Sequence, residues 1–344
     1  MKKSKIFRTL AIVGTCLCAP MLFNGCKKDE DKFYITFMVN GQAYKTYETT
    51  ENQNITNIPN PTKEGYSFDG WYLDENFENE IEDLAEYLQS NSKENSTLYA
   101  KFSICQFTIS FNANGGSYVA PITQDYHSNI TEPATPTKSG YGFEGWYLDF
   151  EYTQEFTFNK MPAEDITLYP KYVAYFTWDK TIDSGRTVGV ITGLTEYGRN
   201  SLTKLVIPTS IDNISIKEIG DNAFANCNNI TSITIDNCFK ISDYAFYNCN
   251  YLREIIYGCY GNFYSPINET AFESCDILNS LIIDVADFSN FLCDVTLNIL
   301  EQVENIYITS GEEVVDSDDD YFSNNFTKQA ASDKTGYDMY VRNV

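Results

Sequence analysis

Short runs of alternating apolar and polar residues fill the first half of this chain, and a longer period takes over in the second. Tyr34-Ile35-Thr36-Phe37 and Phe107-Thr108-Ile109-Ser110-Phe111 alternate with a period of two, and each is followed by an Asn-Gly pair, Asn40-Gly41 and Asn114-Gly115. A strand pattern closed by Asn-Gly predicts a β-hairpin, because both turn residues accept positive φ. Thr97-Leu98-Tyr99-Ala100-Lys101-Phe102 and Thr167-Leu168-Tyr169-Pro170-Lys171-Tyr172 predict one further strand each. Ile81, Leu84, Ala85 and Leu88 have helical spacing within residues 81–95, an insertion in the first of two similar stretches. From about residue 174 the pattern becomes apolar-x-x-apolar-x-apolar, read five times: Leu202, Leu205, Ile207; Ile230, Ile233, Ile235; Leu252, Ile255, Tyr257; Leu278, Leu281, Ile283; Val303, Ile306, Ile308.

Fourteen residues, Pro61 to Asp74, return seventy-five positions later as Pro136 to Asp149, sharing Pro-Thr-Lys-x-Gly-Tyr-x-Phe-x-Gly-Trp-Tyr-Leu-Asp. Spacers and binding modules are often duplicated in tandem and catalytic sites rarely are, so the repeat argues for a non-enzymatic chain. With their strands and turns the two copies resemble the Listeria–Bacteroides repeat, the B-repeat type of internalin-like surface proteins. That family runs Phe-x-x-Asn-Gly-Gly, then Pro-Thr-Lys-x-Gly-Tyr-x-Phe-x-Gly-Trp-Tyr, then Leu-Tyr-Ala-Lys-Trp. The match covers 33–103 and 105–173, and copy one departs by Gln42 in place of the second glycine. The resemblance implies small β-grasp-like modules strung along cell-surface proteins. Trp71 and Trp146, at one motif position, are read as core, an indole burying about 200 Å². Stacking on a carbohydrate is the other reading.

In the second half Ala223-Phe224, Ala245-Phe246 and Ala271-Phe272 recur in the frame Ala-Phe-x-x-Cys, which ends at Cys227, Cys249 and Cys275. Repeat lengths of 22 and 26 residues are solenoid spacing. Ile219-Gly220-Asp221-Asn222-Ala223-Phe224 resembles the signature of BspA-like leucine-rich repeats of bacterial surface proteins. The three cysteines are read as a column of small apolar thiols rather than disulfides or metal ligands. Cys238 and Cys259 are a candidate disulfide; Cys105 and Cys293 have no evident partner. The predicted architecture is mainly β and multidomain: two β-grasp-like B-repeat modules, 33–103 and 104–173, then a leucine-rich-repeat solenoid within 174–344.

With the first, fourth and sixth positions of each rung turned inward, the fifth points out: Val206, Thr234, Ile256, Ile282 and Tyr307. Stacked at about 4.8 Å they form an apolar row beside Lys204, Ser232, Glu254, Ser280 and Asn305. An exposed apolar row marks a contact surface; ordinary β-propensity on a solvated sheet is the alternative.

The chain ends and composition add an address. Lys2, Lys3, Lys5 and Arg8 precede an apolar run from Leu10 to Phe23 that stops at Gly25-Cys26. This reads as an export signal over 1–25, too short for a spanning helix of about 20 residues. Gly25-Cys26 resembles a lipoprotein cleavage site, with Phe23 where the family prefers leucine, which implies lipidation at Cys26; simple cleavage and a retained anchor are the alternatives. Residues 26–32 follow as a charged tether, and Lys28-Asp29-Glu30 resembles the surface-export signal of Bacteroides-like lipoproteins. The formal charge is −24, and loss of the leader's basic residues makes it more negative, which disfavours nucleic acid as a partner.

Little points to chemistry. His127 is the only histidine, and no Gly-x-Ser-x-Gly, phosphate-loop or dinucleotide motif occurs. Asp316-Ser317-Asp318-Asp319-Asp320 begins like a calcium loop but lacks its glycine and distal glutamate. No metal or cofactor is expected. The sequence therefore predicts a bacterial lipoprotein displayed at the cell surface, anchored to the membrane by lipid and binding a host or matrix protein. A glycan-binding module and a structural envelope component are the rival readings.

Overall fold

The computed structural model describes residues 32–50, 55, 58, 60–91, 93–236, 239–259, 267–285, 299, 303–309, 326–329 and 337–343. Cys26, the leader, most of the tether, Cys238, Cys293 and the 316–320 segment lie outside these residues. The contacts divide the chain into two units, Met1–Ile104 and Cys105–Val344.

The first unit holds β1 (Phe33–Val39), β2 (Gln42–Thr49), β3 (Tyr66–Tyr72), α1 (Leu84–Ser90) and β4 (Ser96–Ile104). The sheet order is β2-β1-β4-β3; β1 pairs antiparallel with β2 and parallel with β4, and β3 lies antiparallel to β4. This is a β-grasp arrangement. Asn40 and Gly41 make the predicted tight turn with φ of 50° and 74°. The predicted helix forms as α1, its N-cap Asp83 accepting the Glu86 N–H at 3.0 Å and its inner face burying Leu88. Ile35, Phe37, Trp71, Leu88, Leu98 and Ala100 make the core.

The second unit opens with the second copy: β5 (Gln106–Phe111), β6 (Ile122–Asp125), β7 (Tyr141–Tyr147) and β8 (Ile166–Ala174), in the order β6-β5-β8-β7. The predicted hairpin forms here too, β5 pairing antiparallel with β6, but through a longer connection. Asn114-Gly115 does turn with positive φ, but it lies inside a connection running from 112 to 121 rather than joining the two strands directly. Gly116 is the reason: the Tyr172 hydroxyl lies against its Cα where a side chain would stand, so this segment packs onto β8 before the chain returns as β6.

Both tryptophans are core. Trp71 and Trp146 are 3% and 2% exposed, edge-on to Phe37 at 4.6 Å and to Phe111 at 4.8 Å. With both rings enclosed, the carbohydrate-stacking reading falls. Neither indole N–H finds an acceptor among the described residues, so the ring is kept for its bulk. The last residue of the doubled motif is a loop cap. Asp74 accepts the N–H groups of Glu78 and Asn79 at 3.0 and 2.9 Å, and Asp149 those of Thr153 and Gln154 at 3.1 and 3.0 Å. These donors, Glu78 and Thr153 foremost, hold both carboxyls below the usual carboxylate range.

The solenoid begins with the hairpin β9 (Phe176–Asp183) and β10 (Arg186–Leu194) and the short α2 (Glu196–Ser201), capped by Thr195. Next come β11 (Lys204–Ile207), β12 (Ser210–Ile211), β13 (Ile214–Ile219), β14 (Ser232–Asp236), β15 (Lys240–Ile241), β16 (Glu254–Cys259), β17 (Ser280–Val285) and β18 (Asn305–Thr309). Two strands not expected from the repeat pattern, β19 (Phe326–Lys328) and β20 (Tyr337–Arg342), extend the main sheet to β11-β14-β16-β17-β18-β20-β19. A second sheet, β12-β13-β10-β9 with β15 on β13, forms another wall.

Between the walls the repeat residues stack. Phe224, Phe246 and Phe272 lie face to face at 5.1 and 4.8 Å. Cys227, Cys249 and Cys275 are buried free thiols, as the column reading requires; Cys249 donates to the Phe224 carbonyl and Cys275 to that of Phe246, each at 3.2 Å. Burial pushes the Cys227 thiol up.

Candidate binding face

The five predicted outward residues form one row. Val206 pairs with Thr234, Thr234 with Ile256, Ile256 with Ile282 and Ile282 with Tyr307, all in parallel register. The register is fixed one step before the strands, where Thr231 donates to Thr203, Arg253 to Thr231 and Asn279 to Arg253 at 2.8, 3.0 and 3.1 Å. Residues on either side of the row, such as Ile233 and Ile235, or Ile255 and Tyr257, are in the core. The row therefore lies on the outer face of the sheet.

Its exposure is uneven, which corrects the expectation of a uniformly open stripe. Val206 is 58% exposed and Thr234 and Ile256 are half-buried, but Ile282 and Tyr307 are only 5% and 4% exposed. Neither belongs to the solenoid core cluster, whose members on those strands are Leu281, Ile283, Ile306 and Ile308. The sheet does not stop at β18. Tyr307 is flanked in the row by Ile282 and by Met339 of β20, whereas Val206 sits on the edge strand with a neighbour on one side only. The sequence reading missed this because β20 returns antiparallel and carries no repeat signature. What remains open is the β11–β14–β16 end: Val206, Thr234 and Ile256 beside exposed Lys204 and half-buried Ser232 and Glu254.

Such a surface can bury apolar area against a partner and frame it with polar groups. Elsewhere, a cleft of about 290 Å³ in copy one is lined by Lys63, Phe77, Tyr99 and Phe102. One of about 320 Å³ in copy two is lined by Glu132, Phe143, Trp146 and Glu155. Neither lining holds a nucleophile beside a base. Among the described residues no cluster of histidine, cysteine and acidic side chains has the geometry to hold a metal ion, and no helix is long and apolar enough to cross a membrane.

Comparison with known proteins matches residues 33–101 and 107–171 to the Listeria-Bacteroides repeat domain. Residues 196–294 match the BspA type leucine rich repeat region in six copies. Neither is a catalytic family. The chain is 35% identical over 169 residues to a protein of Evansella cellulosilytica named as a membrane protein, covering 48% of this chain and 24% of that one. It is 37% identical over 123 residues to Internalin H of Listeria monocytogenes, covering 35% of this chain and 22% of that one. The matched segments thus span less than a quarter of these relatives. Among solved structures, a leucine-rich repeat protein from Bacteroides ovatus aligns at 24% identity with a TM-score of 0.24, over 33% of this chain and 31% of that one. A T. pallidum leucine-rich repeat protein aligns at 21% with a TM-score of 0.22, over 33% and 53%.

Proposed function

We propose that this chain, two Listeria-Bacteroides repeat domains followed by a BspA type leucine-rich-repeat region, is a cell-surface lipoprotein that holds a protein-binding solenoid away from the membrane. The partner is a host or matrix protein, and the outer row of the strand face is the contact. The observation that carries this reading is the open end of that row, where apolar Val206 lies exposed in register with Thr234 and Ile256. An exposed aliphatic side chain on the edge strand, continued inward by half-buried Thr234 and Ile256, offers a partner apolar area that the sheet itself does not cover. The likeness of about a third of this chain to part of Internalin H points the same way.

The test is binding of the chain without its leader to a matrix-protein array, with a glycan array beside it. Val206→Glu combined with Thr234→Lys should weaken the protein interaction by about tenfold or more. The melt should stay within about 0.5 kcal/mol of the parent, since the positions are outward and the new charges pair across the strands. Unchanged binding would move the contact away from the row, and selective sugar binding by the parent would replace the reading altogether.

Anchoring is tested separately. Cys26→Ala should move the protein from the membrane fraction to the soluble fraction without altering its melt, because a single lipidated cysteine supplies the hold. A variant that still sediments with membranes would show that the apolar run itself is retained.

A further inference from the structure

The two copies of the doubled motif differ at three positions, and in copy two a pair of these, Ser139 and Gly142, touch the solenoid. Glu64 of copy one corresponds to Ser139 of copy two, and Ser67 to Gly142. In copy two, the turn from Lys138 to Gly142 meets the β12–β13 hairpin of the solenoid. Ser139 Oγ donates to the Ser210 carbonyl at 2.7 Å, and the Tyr141 hydroxyl donates to Asp212 Oδ2 at 2.7 Å. Lys138 Nζ lies 3.5 Å from Asp212 Oδ1. Gly140 faces Ile211, whose Cγ1 would be 3.0 Å from a Cβ placed there. The hairpin tip, Asp212-Asn213, has φ of 48° and 63° and so presents Asp212 forward as a rigid corner.

Gly142 is the tightest point. A Cβ there would stand 2.6 Å from the Tyr197 ring and 2.7 Å from the Tyr175 hydroxyl. These rings cannot easily give way, since they stack on one another at 5.5 Å and 15°. Tyr197 belongs to α2, whose Gly198 packs directly on the Tyr175 carbonyl.

We infer that Ser139 and Gly142 decide which repeat can seat the solenoid: the turn 138–142 is a docking site for the Ile211–Asn213 hairpin tip and Tyr197, and copy one's residues at those two positions reject it. Glutamate in place of Ser139 exchanges a donor for a carboxylate beside the Ser210 carbonyl and near Asp212. Like charges and an unpaired carbonyl both oppose contact. Serine in place of Gly142 puts two heavy atoms into the stacked tyrosines. In copy one the matching Ser67 Oγ is spent within its own repeat, on Asp69 and the Ser103 carbonyl, each at 3.4 Å. The seat is also partly closed to water: burial, with help from Asp212, pushes the Tyr141 phenol up to about 12. This inference is independent of what the strand face binds.

The test is hydrogen exchange of the full chain, followed peptide by peptide. Ser139→Glu with Gly142→Ser, which rewrites the seat with copy one's residues, should lower protection of the Ser210–Ile219 hairpin and of α2 by about tenfold. Protection of β16 and β17 should stay at the parental level. The reverse pair in copy one, Glu64→Ser with Ser67→Gly, should leave the hairpin and α2 unchanged. Asp212→Ala removes a partner from the solenoid side without touching the repeat, and should lower hairpin protection by about threefold. Parental protection in both the seat variant and Asp212→Ala overturns the inference. If the seat variant unfolds copy two itself, Asp212→Ala decides alone: a fall supports the seat and no change overturns it.

Discussion

Phe246→Ala is expected to cost the solenoid about 3–5 kcal/mol and to break its cooperative melt. The ring is enclosed between Phe224 at 5.1 Å and Phe272 at 4.8 Å, so its removal leaves a cavity with an aromatic wall on each side. The backbone cannot close the gap cheaply. Phe246 N–H donates to Ala271 O and Phe224 N–H to Ala245 O, both at 2.7 Å, which fixes the rungs at their spacing. In a stack where each rung touches only its neighbours, damage at the middle rung separates those on either side. A urea melt followed by circular dichroism reads the loss, and a change below about 1 kcal/mol would mean that the rungs repack and that the ring column is not the stabilising element.

Trp71→Ala should unfold copy one. The side chain is enclosed by Phe37 and Phe68 at 4.6 and 5.4 Å, and truncating a buried indole costs about 3–5 kcal/mol, close to the whole margin of a domain this small. Exchange protection across β1 and β4 should collapse. Trp71→Phe should be milder, because it removes the unsatisfied indole N–H along with the lost volume. If Trp71→Ala melts with its parent but the protein loses affinity for a sugar, the core assignment is wrong.

Much of this architecture is legible in local pattern. The period-two runs became β1 and β5, the helical spacing of Leu84, Ala85 and Leu88 became α1, and the apolar-x-x-apolar-x-apolar frames stacked in the predicted register. Each of these signals lies within a few residues, where side-chain direction follows from backbone geometry alone. The failures are all long-range. Ile282 and Tyr307 are buried although the rung pattern turns them outward, β20 joins the sheet some thirty residues beyond the last rung, and the long connection at Gly116 packs on Tyr172, a tyrosine where copy one has Phe102. The seat at Gly142 was invisible for the same reason, since one motif copy in a sequence looks as free as the other until Tyr175 and Tyr197 arrive. Comparing the two copies for differences rather than identities would have marked positions 139 and 142.

The order β2-β1-β4-β3 places the first and last strands of each repeat side by side and parallel, with Phe37 opposite Leu98 in one copy and Phe111 opposite Leu168 in the other. A chain held at one end and pulled at the other draws those two strands in opposite directions along their common axis. Every hydrogen bond between them then bears the load together in shear, instead of opening one after another like a zip. Each repeat is thereby arranged so that tension applied between its two ends meets its terminal strand pair in the direction of greatest resistance.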